Sequence, residues 1–413
     1  MRDPCSPPKQ ALLTLSSALY ALKNAIKPLK AQETIPVGHA LGRVLALPIN
    51  APMNSPQFRN SAMDGYAFAS GCASSEPFSL RLAGVAYAGQ PFTGALKQNH
   101  CVRIFTGAVV PAAADTVVMQ EEVTVVDNTV FFAANTVLKQ NVREIGEDIA
   151  QGERLLAAGK KLSAVDIGLL VSVGVSEVVV TRPVRIAVFS TGDELVPLGQ
   201  PLAQGQLHDS NRYMLMGLLT GNCYEITDGG IIADNSAQLE ARFLQAASVH
   251  DVIISTGGAS VGDADYVKSI LQQHGAIHFW KLAIKPGKPF AFGQLDKCYF
   301  FGLPGNPVAV VATFQQLVLP ALQQLSGAGV TNPLRLSAVC SCNLYKVDGR
   351  QDFQRGILTQ DASGEFFVTS AGAQGSHLLI AMSRANCFIV LPIHCKGVVA
   401  GERVMVEPFL ISI

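Results

Sequence analysis

The sequence carries little charge and no excess of either sign. Only 15% of its 413 residues are Asp, Glu, Lys or Arg, and the 31 basic residues equal the 31 acidic ones. A chain with zero net charge has no large field of one sign to attract nucleic acid or an anionic membrane. We therefore expect neither as a partner, and any function based on charge must come from local clusters.

Several standard motifs are also missing. The nine cysteines form no CxxC pair, the nearest approach being Cys340 and Cys342, which is typical of free thiols in a reducing compartment. A GxxxxG run spans Gly257–Gly262 but continues with Asp263 instead of Lys, so it is not a P-loop. No GxGxxG follows a predicted strand and no nucleophile elbow occurs. These absences argue against a P-loop NTPase, a dinucleotide-binding domain and an α/β-hydrolase.

No segment predicts a signal peptide or a membrane span. The most apolar region, Val165–Val180, is interrupted by charged residues and glycines, and the first ten residues contain prolines rather than an apolar core. We therefore expect a soluble, cytoplasmic protein. Hydrophobic residues make up 49% of the chain, enough for sizeable packed cores, and its length fits roughly two to four domains.

The stretch from Asp251 to Ala309 has the clearest pattern. Short apolar runs at Val252–Ile254, Ile277–Ile284 and Tyr299–Phe301 predict buried strands, and a glycine-bearing loop follows each of them. In open α/β sheets, ligands bind outside the carboxyl ends of the strands. We therefore expect the loops TGGASVGDAD, KPGKP and GLPGNP to meet along one edge of a sheet. This edge, called the rim below, is the predicted active site.

Apolar spacing and turn signals organise the rest of the chain. Helices are predicted at residues 12–26, 211–219, 236–248, 266–273 and 308–325, with a further short one within 34–50. Strands are predicted at 184–189 and 224–232, and a hairpin is predicted around Asp127–Asn128 in a β-rich region. Ser210 and Asn235 occupy positions typical of helix N-caps. After Asn332, short alternating runs predict a small all-β module.

Charged residues follow the predicted strands of the α/β region. They are the carboxylates Asp193, Glu194, Asp234, Asp263 and Asp265 and the lysines Lys281, Lys285 and Lys288. Glycine lets a backbone approach phosphate, carboxylates suit Mg²⁺, and lysines neutralise the remaining charge. The residues alone therefore predict Mg²⁺-dependent chemistry on a phosphate ester or anhydride. For Asp64, in an Asp-Gly pair, and for Asp148, in an acidic run near glycines, a solvated turn is the simpler interpretation.

Eight short stretches, taken in order, resemble one known family. They are SAMDGYAF, IFTGAVVP, GEDIAQGE, STGDEL, DSNRYML, STGGASVGDADY, LAIKPGKP and GLPGNPVAV. The sequence in these stretches resembles the molybdopterin molybdenumtransferases, the MoeA family, to which the C-terminal domain of gephyrin also belongs. Each stretch alone is a weak signal, but the ordered set, from about residue 35 to the C-terminus, is highly specific.

The resemblance implies a multidomain fold of α/β and β parts. The implied parts are a linking domain (1–49 and 142–182), an inserted β-rich domain (50–141), a central three-layer α/β domain (183–328) and a C-terminal β-barrel (329–413). The α/β domain is expected to bind molybdopterin, to be similar to the molybdopterin adenylyltransferases, and to carry the N-terminal helix, residues 11–27. An elongated homodimer is also implied, in which the β-rich domain of one subunit reaches the rim of the other. A molybdopterin adenylyltransferase is a further candidate partner.

The resemblance also implies a reaction and a set of site residues. The family takes adenylated molybdopterin and molybdate, cleaves the phosphoanhydride to release AMP, and inserts molybdenum at the dithiolene sulfurs, with Mg²⁺ required. By position, the implied catalytic residues are Asp64, Thr106, Asp148, Glu194, Asp234 and Asp265. The implied metal ligands are Glu194, Asp234, Asp263 and Asp265. The implied substrate and anion contacts are Lys281, Lys285, Lys288, Arg350, Ser376, Gly257, Gly258, Pro304 and Pro307.

Three positions depart from the family pattern. Ala113 stands where glycine is usual, Asp352 where glutamate is usual, and His377 where a smaller residue is typical.

Two other functions are compatible with parts of the pattern. Adenylyl transfer onto molybdopterin would use the α/β domain but would not explain the loops of Asp64 and Thr106. A gephyrin-like scaffold would tolerate loss of the Glu194 carboxylate, whereas an enzyme would not.

Overall fold

The computed structural model describes residues 12–221, 224–257 and 264–409, and for Ala264, Asp265 and Trp280 it describes the backbone alone. The predicted site residues Gly258 and Asp263, and the side chain of Asp265, therefore lie outside the described part of the chain.

The first helix, α1 (Leu15–Ala25), packs on the α/β sheet. Thr14 caps it by accepting a hydrogen bond from Ser17 N. The buried side chains of Leu15 and Leu22 belong to the same hydrophobic cluster as apolar residues of the α/β strands. The apolar stripe predicted between residues 12 and 26 thus forms a helix whose buried face covers the sheet.

The predicted short helix at residues 34–50 is wrong. β1 (Gln32–Pro36) instead forms an antiparallel ladder with β12 (Glu177–Thr181), and only a single 3₁₀ turn follows at Val37–His39. Proline disfavours the α conformation in the residue before it, so Pro36 keeps the chain extended up to that point.

Two distant segments of the chain pack together around this ladder. The elements are β2 (Ile49–Asn50), β10 (Val142–Arg143), β11 (Arg154–Leu156) and α2 (Ala164–Ser172). β11 pairs with β2, and α2 begins with a capping box between Ser163 and Asp166. One hydrophobic cluster joins both segments; its members include Val37, Leu45, Leu162, Leu170 and Val178.

Residues 60–132 form a β-rich part with its own core. Its strands are β3 (Asn60–Ser61), β4 (Gly65–Phe68), β5 (Phe78–Ala86), β6 (His100–Ile104), β7 (Thr116–Met119), β8 (Val123–Val126) and β9 (Thr129–Phe132). Six of these strands make one sheet in the order β7-β4-β6-β5-β9-β8, while β3 pairs with β10. The predicted hairpin is confirmed, since β8 and β9 are joined through Asp127, whose φ is 51°.

The α/β part is a six-stranded sheet with helices on both faces. The strands of this part are β13 (Val184–Thr191), β14 (Leu195–Val196), β15 (Leu207–His208), β16 (Tyr224–Ile232), β17 (Val252–Thr256), β18 (Gly275–Trp280), β19 (Ile284–Lys285), β20 (Ala291–Leu295) and β21 (Cys298–Leu303). β14, β15 and β19 lie outside the six-stranded sheet. Its helices are α3 (Ser210–Leu219), α4 (Ser236–Ala247), α5 (Ala264–His274), α6 (Pro307–Thr313) and α7 (Leu319–Leu325). The strand order is β16-β13-β17-β21-β20-β18, and β20 runs antiparallel to both of its neighbours.

Alternate residues of β13 face opposite hydrophobic clusters. Ile186 and Val188 pack with α1, α3, α6 and α7, whereas Ala187 and Phe189 pack with α4 and α5. The period of two in a strand explains how a nearly continuous apolar run serves both faces. The sheet is therefore the middle of three layers.

Two local predictions in this part need correction. The run Ile277–Ile284 is not one strand, because β18 ends at Trp280 and β19 leaves the sheet to pair with the C-terminal barrel. The N-cap of α3 is Asp209, not Ser210: the Asp209 carboxylate accepts a hydrogen bond from Arg212 N. The predicted N-cap Asn235 is confirmed, since it accepts from Gln238 N.

One helical stretch in the described part of the chain is long and apolar enough to span a membrane. It runs from Pro307 to Leu325, with a π-helical turn at Phe314–Val318 between α6 and α7. In the structure, 72% of its most apolar window is buried inside the protein. It therefore has the setting of a core helix.

The C-terminal part contains a closed five-stranded barrel. Its elements are β22 (Leu336–Cys340), β23 (Leu344–Tyr345), β24 (Gln351–Gln360), β25 (Phe366–Ser370), α8 (Leu379–Arg384), β26 (Cys387–Leu391), β27 (Gly397–Val398) and β28 (Arg403–Pro408). The barrel closes in the order β24-β25-β22-β28-β26, because β24 also pairs with β26. β24 has the most polar sequence of these strands, which explains why apolar alternation did not predict it.

Candidate active site

The loops predicted to share the rim begin at one edge of the α/β sheet. β13, β17 and β21 are parallel neighbours, so their carboxyl ends meet at that edge. β18 pairs antiparallel with β20, which pairs antiparallel with β21, so β18 points the same way as β21. The KPGKP loop, which follows β18 in the chain, therefore leaves the sheet at the same edge as the other two.

Glycine allows the rim loops to approach one another closely. Gly257 has a φ of 102°, and a Cβ atom built on it would lie 2.0 Å from Thr191 O. A Cβ atom on Gly305 would in turn lie 3.7 Å from Gly257 Cα. Asn211 Nδ2 donates to Gly305 O at 2.7 Å, which fixes the third loop to α3. The rim is thus a set of backbone segments in contact, where only glycine fits at position 257.

The carboxylates after β13 and β16 lie together on the rim. Asp234 N donates to Asp193 Oδ1 at 3.0 Å, which ties the loop after β16 to the loop after β13. Glu194 is exposed, and its carboxylate lies against Gly192, where a Cβ atom would come within 2.5 Å of Oε2. The predicted residues Glu194 and Asp234 therefore share this edge of the sheet.

A buried polar network lies beneath the rim. Asp209 accepts from Ser190 Oγ at 2.8 Å and from Arg212 Nε at 2.8 Å, and Arg212 also pairs with Asp228. Burial alone would lower the pKa of Arg212, but its hydrogen bonds with the two carboxylates raise it overall. Ser190 Oγ lies 3.2 Å from Thr256 Oγ1, which extends the network to the next strand. The stretch DSNRYML contains Asp209 and Arg212, but residue types alone do not reveal that these two side chains pair inside the fold.

The predicted basic residues occupy two settings. Lys281 and Lys288 are exposed, and Leu282 N donates to Lys288 O at 2.9 Å to close the loop between them. Lys285 Nζ lies 3.5 Å from the buried carboxylate of Asp352 on β24. Lys285 thus links the rim to the barrel. The carboxylate at this contact belongs to Asp352, one of the three positions that depart from the family pattern.

A barrel loop closes on the beginning of α6. Ser376 O accepts a hydrogen bond from Val308 N at 3.2 Å, next to Pro307, the first residue of the helix. Arg355 is 1% exposed, and its Nη2 donates to Ala373 O at 3.2 Å and to Gly375 O at 2.9 Å. Arg355 therefore holds the loop of Ser376 from inside the barrel, a role that the sequence analysis missed.

The other barrel-side residues differ in exposure. Pro304 is buried behind the third rim loop, whereas Arg350 is half-buried after Gly349, whose φ is 99°. His377 is exposed and follows Ser376, and its ring lies against Gly375, where a Cβ atom would come within 2.9 Å of Cε1. His377 therefore adds bulk to the loop that closes on α6.

Asp64 and Thr106 form a pair in the β-rich part. Asp64 Oδ1 accepts from Thr106 N at 2.8 Å and from Thr106 Oγ1 at 2.7 Å. These hydrogen bonds, with a smaller effect from the positive charge of Arg103, hold the pKa of Asp64 below its ordinary value. The simple turn interpretation of Asp64 is therefore incomplete, because its carboxylate orders a second loop.

Asp148 lies on a different loop, and it is exposed. Its backbone N donates to Ser55 O at 3.0 Å, and Ile149 N donates to the same oxygen. The chain at Asp148 is thus anchored while the side chain faces outward. Ala113, the remaining position that departs from the family pattern, is also exposed and lies in the β-rich part.

The structure brings only some of the predicted residues together. Among the described residues, no three His, Cys, Asp or Glu side chains form a group that could hold a metal ion. Two of the four predicted metal ligands, Glu194 and Asp234, are described on the rim with their side chains. A separate cleft of about 720 Å³ lies between α1 and α7, and none of the predicted site residues lines it.

The whole chain is similar to known proteins. Three family models match in order: MoeA N-terminal region (domain I and II) over residues 13–174, probable molybdopterin binding domain over 187–324, and MoeA C-terminal region (domain IV) over 337–409. Over 400 residues the chain is 43% identical to the molybdopterin molybdenumtransferase of Haemophilus influenzae, covering 96% of this chain and 99% of that one. The chain belongs to the MoeA family of molybdopterin molybdenumtransferases.

Other relatives agree with this membership. The molybdopterin molybdenumtransferase of a Nostoc species is 36% identical, covering 91% of this chain and 88% of that one. Gephyrin of Dictyostelium discoideum is 33% identical over an alignment that covers 87% of this chain and 57% of the gephyrin chain. The crystal structure of a MoeA protein from Pyrococcus horikoshii superposes with a TM-score of 0.83 at 25% identity, covering 96% of this chain and 100% of that one.

Proposed function

We propose that this protein inserts molybdenum into molybdopterin during biosynthesis of the molybdenum cofactor. The observation that carries the proposal is the similarity over nearly the full length to the Haemophilus influenzae enzyme of that name. The arrangement of the rim supports it, since glycine-bearing loops, carboxylates and lysines share one edge of the sheet. Its site would lie in the cytoplasm, where molybdate and the pterin substrate are small soluble molecules.

We further propose that the substrate is adenylated molybdopterin and that AMP is released. The exposed Glu194 and the half-buried Asp234 offer oxygen ligands of the type that Mg²⁺ prefers, and Asp263 and Asp265 follow the neighbouring strand in sequence. When bound, Mg²⁺ would offset the negative charge of the phosphoanhydride oxygens. The carboxylates would hold the metal and orient the attacking water.

The basic residues would bind the anionic parts of the substrates. Lys281 and Lys288, exposed beside the rim, would neutralise charge that develops on the departing phosphate, and the backbone N–H groups around Gly257 and Gly258 would contact it. Lys285, Arg350 and Ser376 would form the molybdate pocket, where the rim meets the barrel. Pro304 and Pro307 would shape the loop that separates the two anions.

The Asp64–Thr106 pair would complete the site across a homodimer. Its loops are ordered within the β-rich part, whose hydrophobic clusters, among the described residues, contain no residue of the α/β sheet. The pair and Asp148 would then act on the rim of the partner subunit, where a carboxylate can position a water or a proton. A molybdopterin adenylyltransferase would deliver the substrate.

Mixing two inactive variants tests the shared site. Asp64→Asn and Glu194→Gln should each be inactive alone, but equal amounts, allowed to exchange subunits, should recover about a quarter of wild-type activity. Half of the dimers are then mixed, and each mixed dimer has one intact site. If both residues act within one subunit, mixing restores nothing.

The function itself is tested by AMP release from adenylated molybdopterin. Purified protein should release AMP only when molybdate and Mg²⁺ are both present, and the product should activate a molybdenum-dependent apoenzyme. Binding of the substrate without AMP release under any condition would refute the proposed reaction.

A further inference from the structure

Four side chains of the β-rich sheet form a continuous stack. The ring of Tyr87 is parallel to that of Phe105, with centroids 4.9 Å apart and planes 12° apart. The guanidinium of Arg103 lies 4.8 Å from the centroid of Phe105 and 5.0 Å from that of Tyr66. Because Tyr87 occupies one face of Phe105, Arg103 takes the other. We call Tyr66, Arg103, Phe105 and Tyr87 the aromatic stack.

The backbone holds the outer end of the aromatic stack in place. Tyr87 N donates to Gln90 O at 3.0 Å and Gln90 N donates to Tyr87 O at 2.9 Å, which closes a tight turn through Gly89. Phe105 N donates to Ala86 O at 3.2 Å, so Phe105 is anchored to the end of β5, directly before Tyr87. The backbone of Tyr87 is therefore held by the turn, and its ring packs on Phe105.

The aromatic stack borders the Asp64–Thr106 pair. Phe105 directly precedes Thr106, and Arg103 is close enough to Asp64 to help lower the pKa of that carboxyl, after the two hydrogen bonds from Thr106. Arg103 is itself fixed, since Nη1 donates to Gly65 O at 3.2 Å. A ligand that reached Asp64 would therefore lie beside the stack.

One end of the stack is buried and the other is open. Tyr66 is 8% exposed, whereas Tyr87 is 49% exposed. A half-exposed ring supported from behind by an aromatic ring and a guanidinium offers a flat surface for another planar ring. The nearby Asp64 carboxylate would accept hydrogen bonds from ring N–H or amino groups. Planar nitrogen heterocycles combine both features.

We propose that Tyr87 is the outer layer of a binding subsite for a planar heteroaromatic ring of the substrate, either pterin or adenine. This proposal rests on the proposed function for the identity of the ligand. Adenylated molybdopterin carries both a pterin and an adenine ring. The stack would recognise what the two rings share, namely a planar nitrogen heterocycle. Tyr87 then contributes affinity by stacking, and the Asp64 carboxylate contributes hydrogen bonds to the same ring in addition to the role proposed for it above.

The test compares ring-bearing ligands in direct binding assays. The ligands are AMP, ribose 5-phosphate as its ring-free counterpart, and molybdopterin without the adenylyl group. Tyr87→Ala should weaken binding of AMP or of molybdopterin by about 10-fold, whereas ribose 5-phosphate should bind as before. Tyr87→Phe keeps the ring and should bind like the wild type. Tyr20→Ala, which removes a 71% exposed tyrosine from α1, is the matched control.

The outcomes separate this subsite from the proposed reaction. A ring-specific loss in Tyr87→Ala supports the subsite even if the wild type releases no AMP, and the arm that changes identifies the ring as adenine or pterin. In turnover, the same variant should raise KM and leave kcat nearly unchanged. Equal binding of both ring ligands by Tyr87→Ala and Tyr20→Ala would overturn the proposal. A loss of the dimer instead of ligand affinity would overturn it too, since the stack would then be a protein contact.

Discussion

Two groups of polar residues occupy the same end of the α/β sheet in opposite settings. Beneath the rim, Asp209 and Arg212 are 3% and 5% exposed, and their charged groups are hydrogen-bonded to each other and to neighbouring strands. On the rim, Glu194 and Lys288 are exposed at the ends of loops. The difference shows that residue type does not separate structural from chemical roles. Burial and hydrogen bonding do, because a buried charge must be paired whereas an exposed one can bind a ligand.

Removing a carboxylate from the buried network should give the largest effect. Asp209→Ala leaves Arg212 buried beside Asp228 alone and removes the N-cap of α3. We expect the free energy of unfolding to fall by about 3–5 kcal/mol, measured by urea titration. Asp209→Asn, which keeps the shape and part of the hydrogen bonding, is the control and should lose less. A loss below about 1 kcal/mol for Asp209→Ala would mean that the network does not hold the rim.

Removing a lysine from the rim should affect function without affecting stability. Lys288→Ala should lower kcat/KM by about 10-fold, since a charge-assisted contact is lost, and leave the unfolding transition unchanged. Lys297→Ala is the matched control, because this exposed lysine precedes β21 at the opposite edge of the sheet. Equal kcat/KM values for the two variants would remove Lys288 from the proposed site.

The smallest expected effect concerns the pH dependence of Asp64. Thr106→Val removes the hydroxyl hydrogen bond that favours the carboxylate, so the pKa of Asp64 should rise toward its ordinary value. The acid limb of activity should then move to higher pH. Because the pKa of Asp64 is lower in the folded protein, the pair stabilises the fold at neutral pH. This stabilisation is lost as the pH falls through the pKa of Asp64 in the folded state.

This last prediction is checked by titrating the Asp64 carboxyl in carbon NMR spectra. Thr106→Ser retains the hydroxyl and should titrate like the wild type. A Thr106→Val protein with an unshifted titration would show that the hydroxyl hydrogen bond does not contribute to the low pKa of Asp64.

The sequence predicted the order of the α/β part well because its strands and helices have strong local signals. β13, β16 and β17 are apolar runs with turn residues at their ends, and α4 begins at the predicted cap Asn235. β20 was missed, so the sheet's antiparallel edge was not foreseen. The predicted position of the KPGKP loop was nevertheless correct, because two successive antiparallel pairings leave β18 pointing in the same direction as β21.

Long-range pairs were beyond the sequence signals. Asp64 with Thr106, Lys285 with Asp352, and Asp209 with Ser190 join residues that turn chemistry and periodicity treat as unrelated. The polar strand β24 was missed for the same reason, since its buried Asp352 and Arg355 have partners outside the strand, on β19 and in the loop before α8. The strand pattern therefore picked out the carboxylates and lysines of the rim, the resemblance added the candidates in the other parts, and the contacts of all of them required the structure.

The central claim is that buried charged residues support the rim, whereas exposed carboxylates carry out the reaction. A single-turnover comparison of wild type with Glu194→Gln on adenylated molybdopterin tests this claim most directly. With molybdate and Mg²⁺ present, Glu194→Gln should bind a similar amount of substrate and unfold at the same urea concentration, yet release AMP at least about 100-fold more slowly. AMP release at the wild-type rate would contradict the assignment of the chemistry to the exposed carboxylates of the rim.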